Sequence, residues 1–307
     1  MKNMKKLICM MLALAMVLAL CACGSTASTT ATEATEAPAA EEAADEAVDY
    51  SAMSLDELKA IISTVTEGKL TMATSPDFAP FEFYAIDDSG APVLAGADVA
   101  LAQYIADYLG LELEVIAVDF DGVLNELASG NVDIAVAGLA PDPKRMDAMD
   151  FSDIYYVDSQ SFVTVQALAD QFTTLDDTNK AELSIGVQNG SIQADLAEQY
   201  SPDADIVVLG KVTDIIAELL GGKLDGAYIA TAIANNYAVN YPDLTIVLDV
   251  PEDVEGSAVG VCKGNEALLA GVNMAIAAAK AEGAIDRFVA EANELATGNI
   301  YEGLIED

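Results

Sequence analysis

Apolar positions along this chain fall into short segments whose period alternates between two and three-to-four. Val132-Asp133-Ile134-Ala135-Val136 is a β-branched run of strand length. It is closed by Ala137-Gly138 and by Pro141-Asp142-Pro143, which cannot continue a strand. Residues 69–73 and 111–118 read as strands in the same way. Between them Val99, Ala102, Ile105, Ala106 and Leu109 fall at helical spacing, with Gly110 to stop the helix. Ser54-Leu55-Asp56-Glu57 has the form of a capping box. It predicts a helix to about Val65, with Leu55, Leu58, Ile61 and Ile62 on one face. Asp119-Phe120-Asp121-Gly122 turns into a helix through Leu127, closed by Ser129-Gly130-Asn131.

The pattern then repeats. Residues 161–165 form a further apolar run. After a polar link, 183–188 opens a second series: a helix from Ser191, a strand at 206–209, a helix at 212–220, a strand at 226–229, a helix near 232–239 and a strand at 244–247. A last apolar run at 257–262 leads to two helices, at about 266–282 and 284–295. Alternating strand and helix predict open, mostly parallel sheets with covering helices. Two such series predict an α/β fold of two lobes with a ligand cleft between them. The Pro-broken stretch 74–83 carries Phe78, Phe81 and Phe83 and reads as a loop at a strand end. Its aromatics either wall a pocket or form a local hydrophobic plug.

Charge narrows the choice of partner. The 307 residues include 13 Lys+Arg against 51 Asp+Glu, a formal net charge of −38. Nucleic acid is therefore not expected as a partner, because its phosphates need a basic footprint. Lys2, Lys5 and Lys6 precede an apolar stretch at 7–20 that is short for a membrane span. The stretch ends in Leu20-Cys21-Ala22-Cys23-Gly24. Small residues before a Cys at the end of a signal peptide resemble the bacterial lipobox, with Cys23 as the lipidated residue. The alternative is an ordinary signal peptide cut nearby. On the first reading, 1–22 is a signal peptide and 23–50 is a lipid-anchored, solvated tether, rich in Ser, Thr, Ala and Glu and free of basic residues. Cys262 is then the one other cysteine, so no intramolecular disulfide is expected.

Arg145 stands just beyond the carboxyl end of the 132–136 run. Ligands of open α/β sheets bind there, and a guanidinium can hold a carboxylate by two parallel hydrogen bonds. The competing reading is a surface pair with Asp147 or Asp150. The chain has no histidine, which removes Ser-His-Asp chemistry and the commonest metal ligand. Asp119 and Asp121 are too sparse for a calcium loop and read as turn and cap residues. Neither a metal nor a cofactor is expected.

Several of these stretches, in order, resemble a known family. GADVALAQYIADYLG at 96–110, Asp119-Phe120-Asp121, the segment from Asp133 to Tyr156 with Phe151-Ser152-Asp153, Val187-Gln188-Asn189-Gly190-Ser191, and Lys263-Gly264-Asn265 carry the likeness. Together they cover roughly 67–295 and resemble the family 3 solute-binding proteins, the amino-acid-binding components of bacterial ABC importers. The resemblance implies a periplasmic-binding-protein-like fold with a hinge of two crossing strands, here 161–165 and 257–262. Lobe 1 would comprise 51–164 and 257–307, and lobe 2 would comprise 165–256. It further implies a monomer, a permease partner, and a membrane tie through Cys23.

The resemblance also assigns residues. Arg145 matches the residue that pairs with a ligand α-carboxylate. Phe78 and Phe120 match two aromatics that sandwich the ligand side chain. Ser191 matches a Ser/Thr at a helix start that also meets the carboxylate, where free N–H groups and the dipole favour an anion; plain N-capping is compatible with that role. Gln193 lies near enough to reach the cleft, and Asn189-Gly190-Ser191 would close over the ligand from lobe 2. Two departures stand out. Where the family often has Ser or Thr donors, this chain reads Ala137-Gly138-Leu139-Ala140, leaving only the backbone around Gly138 and Leu139 to bind. The family's acid for the α-ammonium falls on Ala230. Either another acid replaces it, with Glu82 and Asp77 as candidates, or the ligand is an amine-free carboxylate or a peptide. A cyclohexadienyl-dehydratase-like enzyme on the same fold and a detached sensor domain are the remaining alternatives.

Overall fold

The computed structural model describes residues 48–253 and 256–298. The expected signal peptide, Cys23 and most of the tether lie outside the described residues. Asp49 caps a 3-10 turn at Tyr50–Ala52, so ordered backbone begins before the expected end of the tether. Helix α1 (Leu55–Ile61) carries the expected capping box, with the Glu57 carboxylate accepting from Ser54 N at 2.8 Å. It ends before Val65 because the chain leaves to reach the first sheet, where Val65 N donates to the Asp133 carboxylate at 2.7 Å.

The elements that follow are β1 (Lys69–Thr74), β2 (Asp77–Phe78), β3 (Glu82–Ile86), β4 (Pro92–Ala95), α2 (Ala97–Leu109), β5 (Glu112–Ala117), α3 (Phe120–Ala128), β6 (Ile134–Ala135) and β7 (Met149–Phe151). Then come β8 (Gln160–Val165), β9 (Ser184–Gln188), α4 (Ile192–Tyr200), β10 (Asp205–Leu209), α5 (Val212–Leu220), β11 (Gly226–Ala230), α6 (Thr231–Asn240) and β12 (Leu244–Val250). The last are β13 (Gly260–Cys262), α7 (Glu266–Ala281) and α8 (Ala284–Ala296).

Among the described residues the strands form two five-stranded sheets, ordered β5-β1-β6-β13-β7 and β10-β9-β11-β8-β12. In each, the first three strands are parallel and the last two join antiparallel. The central strands β1, β9 and β11 are buried almost throughout, as parallel strands covered on both faces must be. The edge strands β5 and β10 hold no fully buried residue. The stretch 74–83, expected as a loop, instead supplies β2 and the start of β3 in a small antiparallel sheet, β2-β3-β4. Phe81 and Phe83 on it are buried with Val212, Ile215 and Leu219 of α5, so its apolar face is the reason it orders. Hence one apolar core runs from this small sheet into the second lobe. A separate core packs β1 against α2 and α7.

The chain passes between the large sheets twice, between β7 and β8 and again between β12 and β13. A bridge between Tyr156 and Ser257 ties the two passes, with Ser257 N donating to Tyr156 O at 2.7 Å. The runs expected as the crossing strands extend into the sheets. Residues 160–165 are β8, paired with both β11 and β12, so this strand belongs to lobe 2. The expected boundary at 164 and 165 moves to about 159, because a strand belongs with the partners it hydrogen-bonds.

Gly226 shows how closely β11 and β8 approach. A Cβ there would stand 2.1 Å from Cζ of Phe162, which is itself fully buried. Gly226→Ala should therefore destabilise the fold by about 1–3 kcal/mol, read as a lower urea midpoint. An unchanged midpoint would show that Phe162 moves aside at no cost.

Candidate functional site

The site begins where β6 ends. Gly138 has φ +54°, and a Cβ on it would lie 2.6 Å from Cε1 of Phe78. Glycine thus lets the Phe78 ring cover the turn while the Gly138 amide donates to Asp98 at 2.8 Å. A 3-10 turn at Pro143–Arg145 follows, with the Asp142 carboxylate accepting from Lys144 N at 2.9 Å. This turn delivers Arg145 to the cleft. Its Nη1 donates to Ala140 O at 2.9 Å and its Nη2 to Gly190 O of the second lobe at 3.0 Å. The guanidinium carbon lies 5.6 Å from the centre of the Phe120 ring.

Arg145 is half-buried and has no carboxylate within ion-pair distance among the described residues. Asp150 is taken by Lys263 at 2.7 Å, so the surface-pair reading with that residue does not hold. Loss of water lowers the pKa of Arg145, while Asp142 and Asp195 oppose the shift. The group stays cationic regardless. Two neutral carbonyls therefore hold a charge that is partly withdrawn from solvent, and the arrangement suits an anion from outside the protein.

Arg145 faces a cavity of about 30 Å³ between the lobes. That is room for two or three waters at roughly 10–15 Å³ each, so the lobes are drawn together. The first lobe lines it with Phe78, Phe81, Phe120, Ala137, Gly138 and Ala140. The second contributes Gln160, Gln188, Ser191, Ile192, Gln193 and Ala230, and the crossing passes contribute Asp158, Gly256 and Ser257. Other bonds span the closed cleft. Lys144 Nζ lies 2.7 Å from an Asp195 oxygen, and Asp77 accepts from Gln188 Nε2 at 3.0 Å and from Val212 N.

Of the residues singled out from sequence, Phe78, Phe120, Gly138, Arg145, Ser191 and Gln193 meet at this cavity. Ser191 is the N-cap of α4, its side chain accepting from Ala194 N. Four others do not line it. Leu139 is buried with Val123 and Leu127, and its carbonyl accepts from Ala258 N at 2.9 Å. Asn189 is exposed. Gly190 contributes only the carbonyl that Arg145 holds. Glu82 lies fully buried away from the cavity. Phe81 stood among the loop aromatics read as a pocket wall or a plug, and it lines the cavity; Asp158, Gln160 and Gln188 were not assigned to the site from sequence. Alternation along the run into β8 places 158 and 160 on one face, which is the signal that could have found them.

The amides have fixed orientations. Gln188 Nε2 donates to Asp77 and to Gly210 O, both acceptors only. Gln193 Nε2 donates to Gln160 Oε1, and Gln160 Nε2 donates to the Glu252 carboxylate. Among the described residues no side chain or amide donates to Oε1 of Gln188 or of Gln193.

A set of buried acids lies beside the site. Asp98 accepts from Gly138 N and, at 2.7 Å, from Tyr155 Oη on the first crossing pass. Burial pushes Asp77 and Asp98 up to about 6, against the pull of their hydrogen bonds. Burial, then Asp98 and Asp77 nearby, push Glu82 well above the usual carboxylate range. Neither Glu82 oxygen meets a donor. Burial and the neighbouring Asp98 charge favour its protonated form. Raised folded-state values mean that, above pH 4 or so, the folded chain keeps a proton that the unfolded chain has lost. Stability from this group is thus greatest at low pH and declines as pH rises toward its folded pKa. Glu82→Gln keeps a donor toward Asp98 without the proton, so it should gain stability relative to wild type between pH 4 and pH 8. Urea unfolding at both pH values checks this, and an equal difference at each would show that Glu82 titrates normally.

Two lobes, two crossing passes and a guanidinium facing the closed cleft with no ion-pair partner among the described residues define a solute-binding protein of the two-lobed type. The profile of the bacterial extracellular solute-binding proteins, family 3, matches residues 70–292, and the chain belongs to that family. It is 31% identical over 207 residues to the arginine-binding extracellular protein ArtP of Bacillus subtilis, covering 64% of this chain and 76% of that protein. A crystal structure of the amino acid ABC transporter substrate-binding protein AbpA from Streptococcus pneumoniae, bound to L-arginine, superposes with TM-score 0.72 at 31% identity, covering 75% of this chain and 97% of that one. A match of 28% identity over 158 residues, 52% of this chain and 58% of the other, is to cyclohexadienyl dehydratase of Pseudomonas aeruginosa.

Proposed function

We propose that this protein captures a free amino acid between its lobes outside the cytoplasm and hands it to an ABC permease, without chemical change. The observation that carries the reading is Arg145, a cation on the cavity wall with two carbonyl partners and, among the described residues, no acid at ion-pair distance. A ligand α-carboxylate supplies the missing anion. Ser191 at the start of α4 adds a hydroxyl and a helix N-terminus to the same end. Because Arg145 and Gly190 sit on opposite lobes, the group that binds the ligand also bonds across the closed cleft. Release to the permease follows from parting the lobes at the crossing passes.

The side-chain end of the cavity supports a planar group that donates hydrogen bonds. Phe78 and Phe81 bring aromatic rings to the lining, while Gln188 and Gln193 keep carbonyl oxygens that no donor among the described residues takes. A guanidinium or a primary amide meets both demands, and L-arginine and L-glutamine are the first ligands to test. The relatives named for arginine support that order. Phe120 serves in this reading as the platform for Arg145. The protein acts as a monomer held to the membrane by a lipid on Cys23, after removal of 1–22. The tether then keeps it at high local concentration near its permease.

Two measurements test this. Arg145→Ala should weaken amino-acid binding by about 30-fold or more, the consequence of losing a charge pair worth roughly 2–5 kcal/mol. Calorimetric titration with L-arginine and L-glutamine reads the change, and undiminished affinity would sink the site assignment. Cys23→Ser should move the protein from the membrane pellet to the soluble fraction of its host. Retention in the pellet would show another means of attachment.

A further inference from the structure

A free amino acid carries an ammonium as well as a carboxylate, and a buried ammonium needs an anion. We infer that Asp158 is that anion, receiving the α-ammonium from the first crossing pass while Ala230 presents only a methyl group to the cavity; this deepens the function proposed above and rests on it. The residues lining the cavity include two ionisable side chains that differ in sign, Arg145 and Asp158. The remaining polar ones are amides and hydroxyls. Asp77 and Glu82 do not line it. Asp77 is occupied by Ser75, Gln188 and Val212, and Glu82 is a neutral acid.

The fold explains how a charge reaches this place from an unexpected strand. β8 and β11 pair antiparallel with Gln160 opposite Ala230. Two residues earlier on the same face, Asp158 lies at the start of α6, just past Ala230, and Thr231 N donates to Ser159 O at 2.8 Å. The Asp158 carboxylate accepts from Ser159 N at 2.8 Å and from Ala232 N at 3.2 Å. These amides at the start of α6 orient it and favour its charge, no cationic side chain pairs with it among the described residues, and removal from water raises its pKa. A carboxylate has about four acceptor sites, so capacity remains for a ligand. Asp158 also borders a shallower groove on its other side, with Val157, Val250 and Glu252. Its position between β7 and β8 places ammonium binding on a pass that must bend when the lobes part.

The test uses the full chain, L-arginine, and 5-guanidinopentanoate, which is arginine without its α-amine. Glutamine and 4-carbamoylbutanoate replace the pair if glutamine binds more tightly. Wild type should prefer the amine-bearing ligand by about 30-fold or more. Asp158→Asn should lose most of that preference while leaving affinity for the amine-free ligand nearly unchanged. Adding Ala230→Asp to that variant should restore the preference, because the new carboxylate enters the same end of the cavity. An intact preference in Asp158→Asn, or an equal loss for both ligands, overturns the assignment and leaves the amino-acid reading standing. Wild type that binds no free amino acid overturns the amino-acid reading itself, and the role of Asp158 falls with it.

Discussion

A positive charge without a resident anion organises the cleft. The Arg145 guanidinium is half-withdrawn from water and held by one carbonyl from each lobe. Carbonyl dipoles stabilise a cation, but less than a carboxylate does. The guanidinium is therefore short of a close anion, and a ligand carboxylate that supplies it gains from both lobes at once. The neighbouring features serve this requirement. Phe120 supports the guanidinium, Pro143 starts the turn that delivers it, and Gly138 lets Phe78 roof the same end.

Beside the cation lies a set of acids that do not neutralise it. Asp98 binds the Gly138 amide and the Tyr155 hydroxyl, and so joins the site turn to a crossing pass through helix α2. Glu82, whose protonated form burial favours, completes the set. Asp77 instead reaches over to Gln188 and Val212 in the second lobe. Three acids in one region would repel if all were ionised, and shared protons together with hydrogen bonds remove most of that cost. The set holds the first lobe's side of the cleft in shape, so that the side chains facing the ligand are already oriented.

Much of the fold was legible because its signals are local. The capping box at Ser54, Gly110 after α2 and the N-caps at Asp119 and Ser191 all stand where their residue types indicate. β1, β9 and β11 are short runs of mostly small, apolar or β-branched residues, with few charges, and such runs mark central strands. Arg145, Phe78 and Gly138 were legible for a related reason: motifs near strand ends place side chains at the mouth of an open sheet. The small sheet β2-β3-β4 was not. Its residues are broken by Pro76 and Pro80, and the apolar surface that orders Phe81 and Phe83 comes from α5, more than a hundred residues away. The backbone of Leu139 was read as open to a ligand, but its carbonyl accepts from Ala258 N on the second crossing pass, a partner that local composition does not announce.

By itself, then, the sequence determined the succession of strands and helices, the two-lobed class and the cation at the cleft, since each depends on residues close together in the chain. Tertiary structure decided the rest. It placed the lobe boundary before β8, because strand pairing is non-local. It buried Glu82 beyond reach of the cavity and brought Gln188 onto Asp77, because burial and proton sharing depend on what packs from elsewhere. It set Asp158 beside Ala230, two residues 72 apart in the chain, because an antiparallel ladder aligns the end of one strand with the start of the other.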